Sequence, residues 1–457
     1  MPDDIILNPR LNIATVPTSP TSSEPRLLYL LVDISPGENV QPLEAPVNIA
    51  LVLDVSESMR LPVLSQAQFR ELQKMGHVNK TVSDGVDVWT FSHIPEAIRR
   101  QAPSNLDAVQ SSIADAARHF EARDTVSLVG FADRAEVLLR GLPGSDTQRL
   151  LEAVAQLGGI SLGDETDIAA GLEAGIEEVA RSHTRGAISR VLVLTDGFTK
   201  EPEHVARLAA QARQSGIAVS TLGIGTEFNE KLLLDMADAS LGNAYFARTP
   251  QEIAPAFASE LAMVQAVSLR DVQVEVRLST GVEVRRAYRV RPAIAPIRLG
   301  TGKRVAGLPL GDLDPKNPHA ILLELIVPPH PGGTFRVAHI EASHSDATGI
   351  RVSNVGNDIV VSYVAGGKLM QPDPAVMNIV ERVTAFVLQT RALDDMAAGN
   401  PAAATQKLRA AATRLLTVGE SDLARTVQLE AEQIESSGQA SQSGTKEIRY
   451  ATRKLST

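Results

Sequence analysis

Three stretches that read as buried strands constrain this chain more than any other feature: the near-continuous apolar run "VNIALVL" (47–53), "RVLVLTDG" (190–197) and "AVSTLGIG" (218–225). A strand with one solvated face alternates apolar and polar residues. A strand without alternation must be covered on both faces, as in a parallel sheet flanked by helices. The segments "NLDAVQSSIADAARHF" (105–120), "TDIAAGLEAGIEEVA" (166–180) and "EHVARLAAQARQSG" (203–216) are amphipathic and of helical length. "TVSLVGFA" (125–132), "AEVLL" (135–139) and "NAYFA" (243–247) read as further strands. Strands alternating with helices predict a doubly wound, mostly parallel α/β sheet, placed here over 44–262.

The pattern changes after Gln265. "SLRDVQVEVRLS", "VEVRRAYRV", "AILLELIVPP", "TFRVAHIEAS" and "DIVVSYV" alternate apolar with polar residues and are separated by Gly and Pro. They predict an antiparallel β-sandwich over 266–366, one face of each sheet buried. Within 1–43, "RLLYLLVDI" (26–34) has the same character and is expected to join that sandwich, which makes the α/β domain an insertion. The region 370–457 reads as helical. Val376, Val380, Val383 and Val387 recur at helical spacing, with Ile379, Phe386 and Leu393 on the neighbouring stripe. Asn400 and Pro401 open a second helix, and "ESDLARTVQLEAEQIE" forms a third. These stripes are expected to close on each other as an independent bundle over 373–436. "SSGQASQSGT" is read as a flexible linker and "KEIRYATRKL" as a short, basic, solvated end.

Composition excludes several function classes. Aromatics are 4% and the net charge is −10, which argues against a nucleic-acid platform or an anionic-membrane binder. The absence of cysteine removes thiolate metal sites, thiol nucleophiles and disulfides. "MPDDIILNPR" is acidic and lacks the basic-then-apolar pattern of a secretory signal. No apolar run approaches the ~18 residues a membrane span requires. A soluble cytoplasmic protein is expected, and the alanine-rich helices suggest a bacterial one.

The chemistry concentrates at strand ends. "VNIALVL" runs into Asp54, followed by Ser56 and Ser58. A carboxylate ending a buried strand is costly unless compensated. Ligands of doubly wound sheets bind at the carboxyl ends of strands, near the point where strand order reverses. Asp196 lies just past a second strand end, and Thr166 at the start of a helix can turn its hydroxyl to the same crevice. Two serines, a threonine and two aspartates are hard oxygen donors, suited to Mg²⁺ or Mn²⁺ and ill suited to Zn²⁺. If hydroxyls ligate directly and carboxylates act through water, the ion stays electrophilic and seeks an anionic oxygen.

Asp-x-Ser-x-Ser at 54–58, a threonine in "ETDI" and an aspartate in "LTDG" resemble the metal-ion-dependent adhesion site of von Willebrand factor type A (VWA) domains. The similarity covers about 44–262. It implies that Asp54, Ser56 and Ser58 form the first metal loop, Thr166 the second and Asp196 the third. It further implies a metal-dependent protein–protein interaction module, with a partner's Glu or Asp completing the coordination, rather than an enzyme. A non-ATPase subunit of a chelatase-like or remodelling complex is the alternative, and the absent signal disfavours an envelope adhesin. Partner, cellular process and oligomeric state are left open.

Two departures from the family pattern stand out. Glu57 occupies a position that is commonly glycine, and an insert at 60–104 lengthens the path from Asp54 to Thr166. The insert reads as a helix, a hairpin turning at Ser-Asp-Gly and a short helix. Glu57, Asp84, Asp87 and Glu96 are candidate self-ligands, and Trp89 with Phe91 is either a satellite core or a partner surface. "LGTGKR" (299–304) lacks the first glycine and the hydroxyl of a phosphate loop and is read as a turn. The histidines, His77 and His93 included, show no ligand spacing. Ser56 lacks a nucleophile elbow.

Overall fold

The computed structural model describes residues 4–18, 24–83, 86–199, 201–299, 304–346, 349–353, 356–365 and 370–455. The side chains of 81–90 and of Gln442 are likewise outside the description. The chain forms two compact units: Pro46–Val264, and a second made of Met1–Ala45 together with Gln265–Thr457.

The first unit holds a six-stranded sheet of β4 (Val47–Asp54), β7 (Thr125–Phe131), β8 (Ala135–Pro143), β9 (Ile188–Thr195), β10 (Ile217–Ile224) and β11 (Ala244–Ala247), in the order β11-β10-β9-β4-β7-β8. All neighbours are parallel except the β7–β8 hairpin. Every residue of β4 and β9 is buried, which accounts for their unbroken apolar sequences. From β4 the chain builds outward on one side to β7 and β8, then crosses to β9 on the other. The crevice between β4 and β9 is therefore the switch point where ligands of such sheets bind.

The helices of this unit are α1 (Glu57–Arg60), α2 (Gln66–Lys74), α3 (Glu96–Arg99), α4 (Asn105–Ala116), α5 (Thr147–Gln156), α6 (Ile168–Arg181), α7 (Pro202–Gln214), α8 (Glu230–Ser240) and α9 (Ile253–Gln265). Helix α6 sits close on the sheet because two glycines face it. A Cβ at Gly171 would lie 2.6 Å from the Phe131 ring, and one at Gly175 would lie 2.5 Å from Val52 Cγ2. Two interior glycines cost a helix roughly 1 kcal/mol each in propensity; here they permit the approach that brings the start of α6 to the strand ends.

The insert contains α2, the antiparallel hairpin β5 (Val78–Ser83) and β6 (Val86–Phe91), and α3. Leu72, Ile94 and Ile98 form its own small core, with Leu64, Val78 and Phe91 packed against it. Phe69 and Phe91 meet edge to face at 6.2 Å. Phe91 thus belongs to the satellite core. Asp84, and the side chains of Asp87 and Trp89, lie outside the described residues.

The second unit is a β-sandwich. One sheet has the order β1-β3-β16-β13-β14: β1 (Ile5–Leu11), β3 (Arg26–Pro36), β16 (His319–Val327), β13 (Glu283–Arg291) and β14 (Ala295–Ile297). The other has the order β15-β12-β17-β19-β2: β15 (Val305–Leu313), β12 (Leu269–Leu278), β17 (Gly333–Ser345), β19 (Asn357–Ala365) and β2 (Thr15–Thr18), with β18 (Arg351–Ser353) beside β17. The segment read as a strand at 26–34 is therefore β3, central in its sheet. "LGTGKR" falls between β14 and β15, and residues 300–303 are outside the description.

The helical region differs from expectation. Helices α10 (Pro374–Ala397), α11 (Pro401–Thr417), α12 (Ser421–Ser437) and α13 (Gln442–Arg453) do not close only on themselves. Val376, Ile379, Val380, Val383, Phe386 and Leu393 share one core with Leu31, Tyr288, Val290, Ala320 and Leu322 of the first sheet. Leu28, Leu30, Val32 and Ile34 of β3 face the sandwich core instead. This sheet is thus buried on both faces, and the helices are part of its unit rather than an independent bundle.

Of the segment expected as a flexible linker only 438–441 lie outside helices, in a tight turn between α12 and α13. Gly438, at φ 71°, ends α12. Ser441 then caps α13 while Glu430 accepts from the Ser441 amide and hydroxyl, each at 2.6 Å. The basic end is α13 itself, with Ile448 and Leu455 buried in the shared core.

Candidate metal centre

Asp54 ends β4 fully buried. Its Oδ1 accepts from the Ser56 amide at 2.9 Å and its Oδ2 from the Thr195 hydroxyl at 2.6 Å. The Ser56 and Ser58 hydroxyls lie 3.1 Å apart. Ser58 Oγ donates to Asp196 Oδ1 at 2.7 Å, and Asn105 Nδ2 donates to Asp196 Oδ2 at 3.1 Å. One continuous chain of hydrogen bonds therefore runs Thr195–Asp54–Ser56–Ser58–Asp196–Asn105, across the switch point between β4 and β9.

Thr166 comes in from the side. It precedes Asp167, whose carboxylate caps α6 by accepting from the Ala170 amide at 3.1 Å, and whose own amide donates to the Ala132 carbonyl at 2.8 Å. A Cβ at Gly197 would stand 2.5 Å from Thr166 Oγ1. The residue after Asp196 has to lack a side chain for the Thr166 hydroxyl to sit there. Asp54, Ser56, Ser58 and Asp196 are thus joined by hydrogen bonds, and Thr166 stands beside Gly197, the neighbour of Asp196. Thr166 also lines a cleft of 380 Å³ whose wall includes Asp133, Glu165, Asp167, Glu173 and Glu201, with His204.

Burial, and then the negative charge of Asp196, push the Asp54 carboxyl up to about 6, against the lowering effect of its Ser56 and Thr195 donors. Burial also raises Asp196, although Ser58 and Asn105 donate to it. Among the described residues, the hydrogen-bond partners of both carboxylates are neutral. Two buried acids facing each other with neutral donors leave a deficit of positive charge, and hard oxygen donors line the gap between them. That set fits a hard divalent cation. Among the described residues, no group of three or more His, Cys, Asp or Glu side chains is placed to hold a metal ion by itself, so the hydroxyls are indispensable to any such centre.

Glu57 is exposed at the start of α1. Glu96 is exposed and pairs with Arg100 at 2.5 Å. His77 and His93 pack edge to face at 5.3 Å in the insert. Sequence reasoning missed Thr195, Asn105 and Gly197. Thr195 and Gly197 flank Asp196 in the motif already singled out, whereas Asn105 looked like an ordinary helix start.

Fold and strand-end loops together define the class: the chain contains a von Willebrand factor type A domain. The profile of that domain family matches residues 100–258. The match begins after most of the insert, so the first loop, with Asp54, Ser56 and Ser58, precedes it. The profile of the Sll0103-like C-terminal alpha-helical domain matches 374–457.

The chain is 25% identical over 179 residues to the uncharacterized protein YfbK of Escherichia coli (38% of this chain, 31% of that protein). It is 22% identical over 249 residues to the uncharacterized protein sll0103 of Synechocystis (53% of this chain, 58% of that protein). It thus spans under two thirds of either relative. A solved von Willebrand factor type A protein from Catenulispora acidiphila has the same fold at 16% identity, with a TM-score of 0.73 over 99% of this chain and 97% of that one. No helix among the described residues is long and apolar enough to cross a membrane.

Proposed function

We propose that this protein binds one Mg²⁺ or Mn²⁺ through Ser56, Ser58 and Thr166, with Asp54 and Asp196 behind them, and uses it to recognise an acidic residue of another protein. The observation that carries the reading is the linkage of two buried, uncompensated carboxylates through the Ser56 amide and the Ser56 and Ser58 hydroxyls. When bound, the cation supplies a Lewis-acidic position for an anionic oxygen. The protein's part is arrangement. Asp196 accepts from Ser58, which polarises that hydroxyl, and Asp54 fixes the Ser56 backbone. Binding rather than catalysis is the proposed role.

The acid-rich cleft beside Thr166 favours a partner whose Glu or Asp lies among basic residues. The test is calorimetry with Mn²⁺ on the wild type and Asp54→Ala, followed by affinity capture with Mg²⁺ and with chelator. Equal Mn²⁺ affinity in the two proteins would sink the assignment. Capture that survives chelation would sink the metal-dependent role. A metal-dependent ATPase partner would make the chain a subunit of a remodelling complex.

A further inference from the structure

The insert is tied to the candidate centre at both of its ends. On the way in, the Arg60 guanidinium donates from Nε to the Val55 carbonyl at 3.0 Å and from Nη1 to the Gly158 carbonyl at 3.0 Å, and it also reaches the Ile160 carbonyl. One side chain therefore holds the backbone between Asp54 and Ser56 against the segment that follows α5. The neck is closed by a bridge between Pro62 and Ser104 and by the Val63 amide on the Pro103 carbonyl at 3.3 Å.

On the way out, Ser104 caps α4 reciprocally with Asp107. Its hydroxyl accepts from the Asp107 amide at 3.1 Å, and its amide and hydroxyl donate to Asp107 Oδ2 at 2.9 and 2.8 Å. Such a box fixes the helix start. The next residue is Asn105, 8% exposed, whose amide grips Asp196 from the side opposite Ser58.

We propose that Asn105 is a positioning residue of the metal centre, and that through it the insert sets the affinity for the cation. The inference rests on the metal reading above. A carboxylate held by Ser58 alone can swing about its last torsion; two donors on its two oxygens fix its plane. An amide does this without neutralising the charge, whereas a lysine or arginine there would repel a cation. Because Asn105 follows the neck directly, its placement depends on how the insert closes over Leu72, Ile94 and Ile98. Whatever binds the insert and shifts the neck alters cation affinity, and the cation alters that binding by the same factor.

The experiment uses the full chain and Mn²⁺ alone. Affinity is measured by calorimetry, and the bound ion's water count by relaxivity, for wild type, Asn105→Ala, Leu72→Ala and the double variant. Outer-shell partners of metal sites are typically worth roughly 10- to 100-fold in affinity, and a loss of that size is expected for Asn105→Ala, with altered relaxivity. Leu72→Ala is expected to weaken Mn²⁺ in the wild-type background and to add nothing in the Asn105→Ala background. If Asn105→Ala does not fold, Asn105→Ser, which suits a helix start but is too short to reach Asp196, takes its place. Unchanged Mn²⁺ affinity on loss of the amide overturns the positioning role, and an equal effect of Leu72→Ala in both backgrounds overturns the coupling. A wild type that binds no Mn²⁺ overturns the metal reading itself.

Discussion

Substituting Gly197 by alanine is a steric test of where Thr166 belongs. The added Cβ would lie 2.5 Å from Thr166 Oγ1, 3.0 Å from its Cβ and 3.2 Å from its Cγ2. Contacts under 3.0 Å do not persist, so either the third loop or the Thr166 side chain moves. The third loop is held by the Gly197 amide on Thr195 Oγ1 at 3.1 Å and by both bonds to Asp196, so Thr166 is the part that yields. Overpacking of this kind costs about 1–3 kcal/mol, which urea denaturation resolves. In the metal reading a proposed ligand is displaced as well, and Mn²⁺ affinity should fall by at least the ~10-fold typical of outer-shell losses. Pairing the change with Thr166→Ala removes the Oγ1 and Cγ2 contacts and leaves only the one at 3.0 Å. The double variant should regain most of the stability and none of the Mn²⁺ binding. Wild-type stability and affinity in Gly197→Ala would refute the placement; recovery of binding in the double variant would remove Thr166 from the ligand set.

The buried His319 gives an acid-sensitive fold: burial, then Arg289, lower it to about 3 from an ordinary 6.5. Above pH 6.5 both states are neutral there and nothing changes. Below it the unfolded chain takes a proton that the folded one refuses, so stability falls as pH drops toward 3, by ~1.4 kcal/mol per unit at most. Denaturant midpoints at pH 7 and 4.5 should separate more in the wild type than in His319→Leu, and equal separations would count against this. Deleting 370–457 should strip the cover from Leu31, Tyr288 and Leu322, giving an aggregating or dye-binding product, whereas a monodisperse truncated chain would contradict the two-sided burial of that sheet. Replacing the insert with a Gly-Ser linker that retains Arg60 and Asn105 should weaken Mn²⁺ binding, because the neck no longer aims Asn105; calorimetry on a folded deletion variant with unchanged affinity would make the insert an ornament.

The legible parts of this molecule are those where burial leaves a periodic mark. Leu51, Val52 and Leu53 are apolar in succession because both sheet faces are covered, and Asp54 stood out as the carboxylate that ends such a run. The same logic was available for "RLLYLLV" and "AILLELIV", which lack clean alternation; taken at face value they announce a sheet with two dry faces. Reading them as one-faced sandwich strands left the helices to close on themselves, and it was the helices that supplied the missing cover. Contacts that depend on chain crossing leave no such mark. Asn105 reaches Asp196 across 91 positions, and Ser58 does so across 138.

A polar residue at a helix start is accounted for locally by capping, so sequence gives no reason to look further. The insert separates Asp54 from the matched stretch of the domain, yet its neck brings Arg60 to the first loop and Asn105 to the third. An insertion that merely decorated a surface would need only its ends close together. This one leaves from the residue that clamps the first loop and returns at the residue that grips the third, which is the arrangement expected if its state and that of the cation are read by one another.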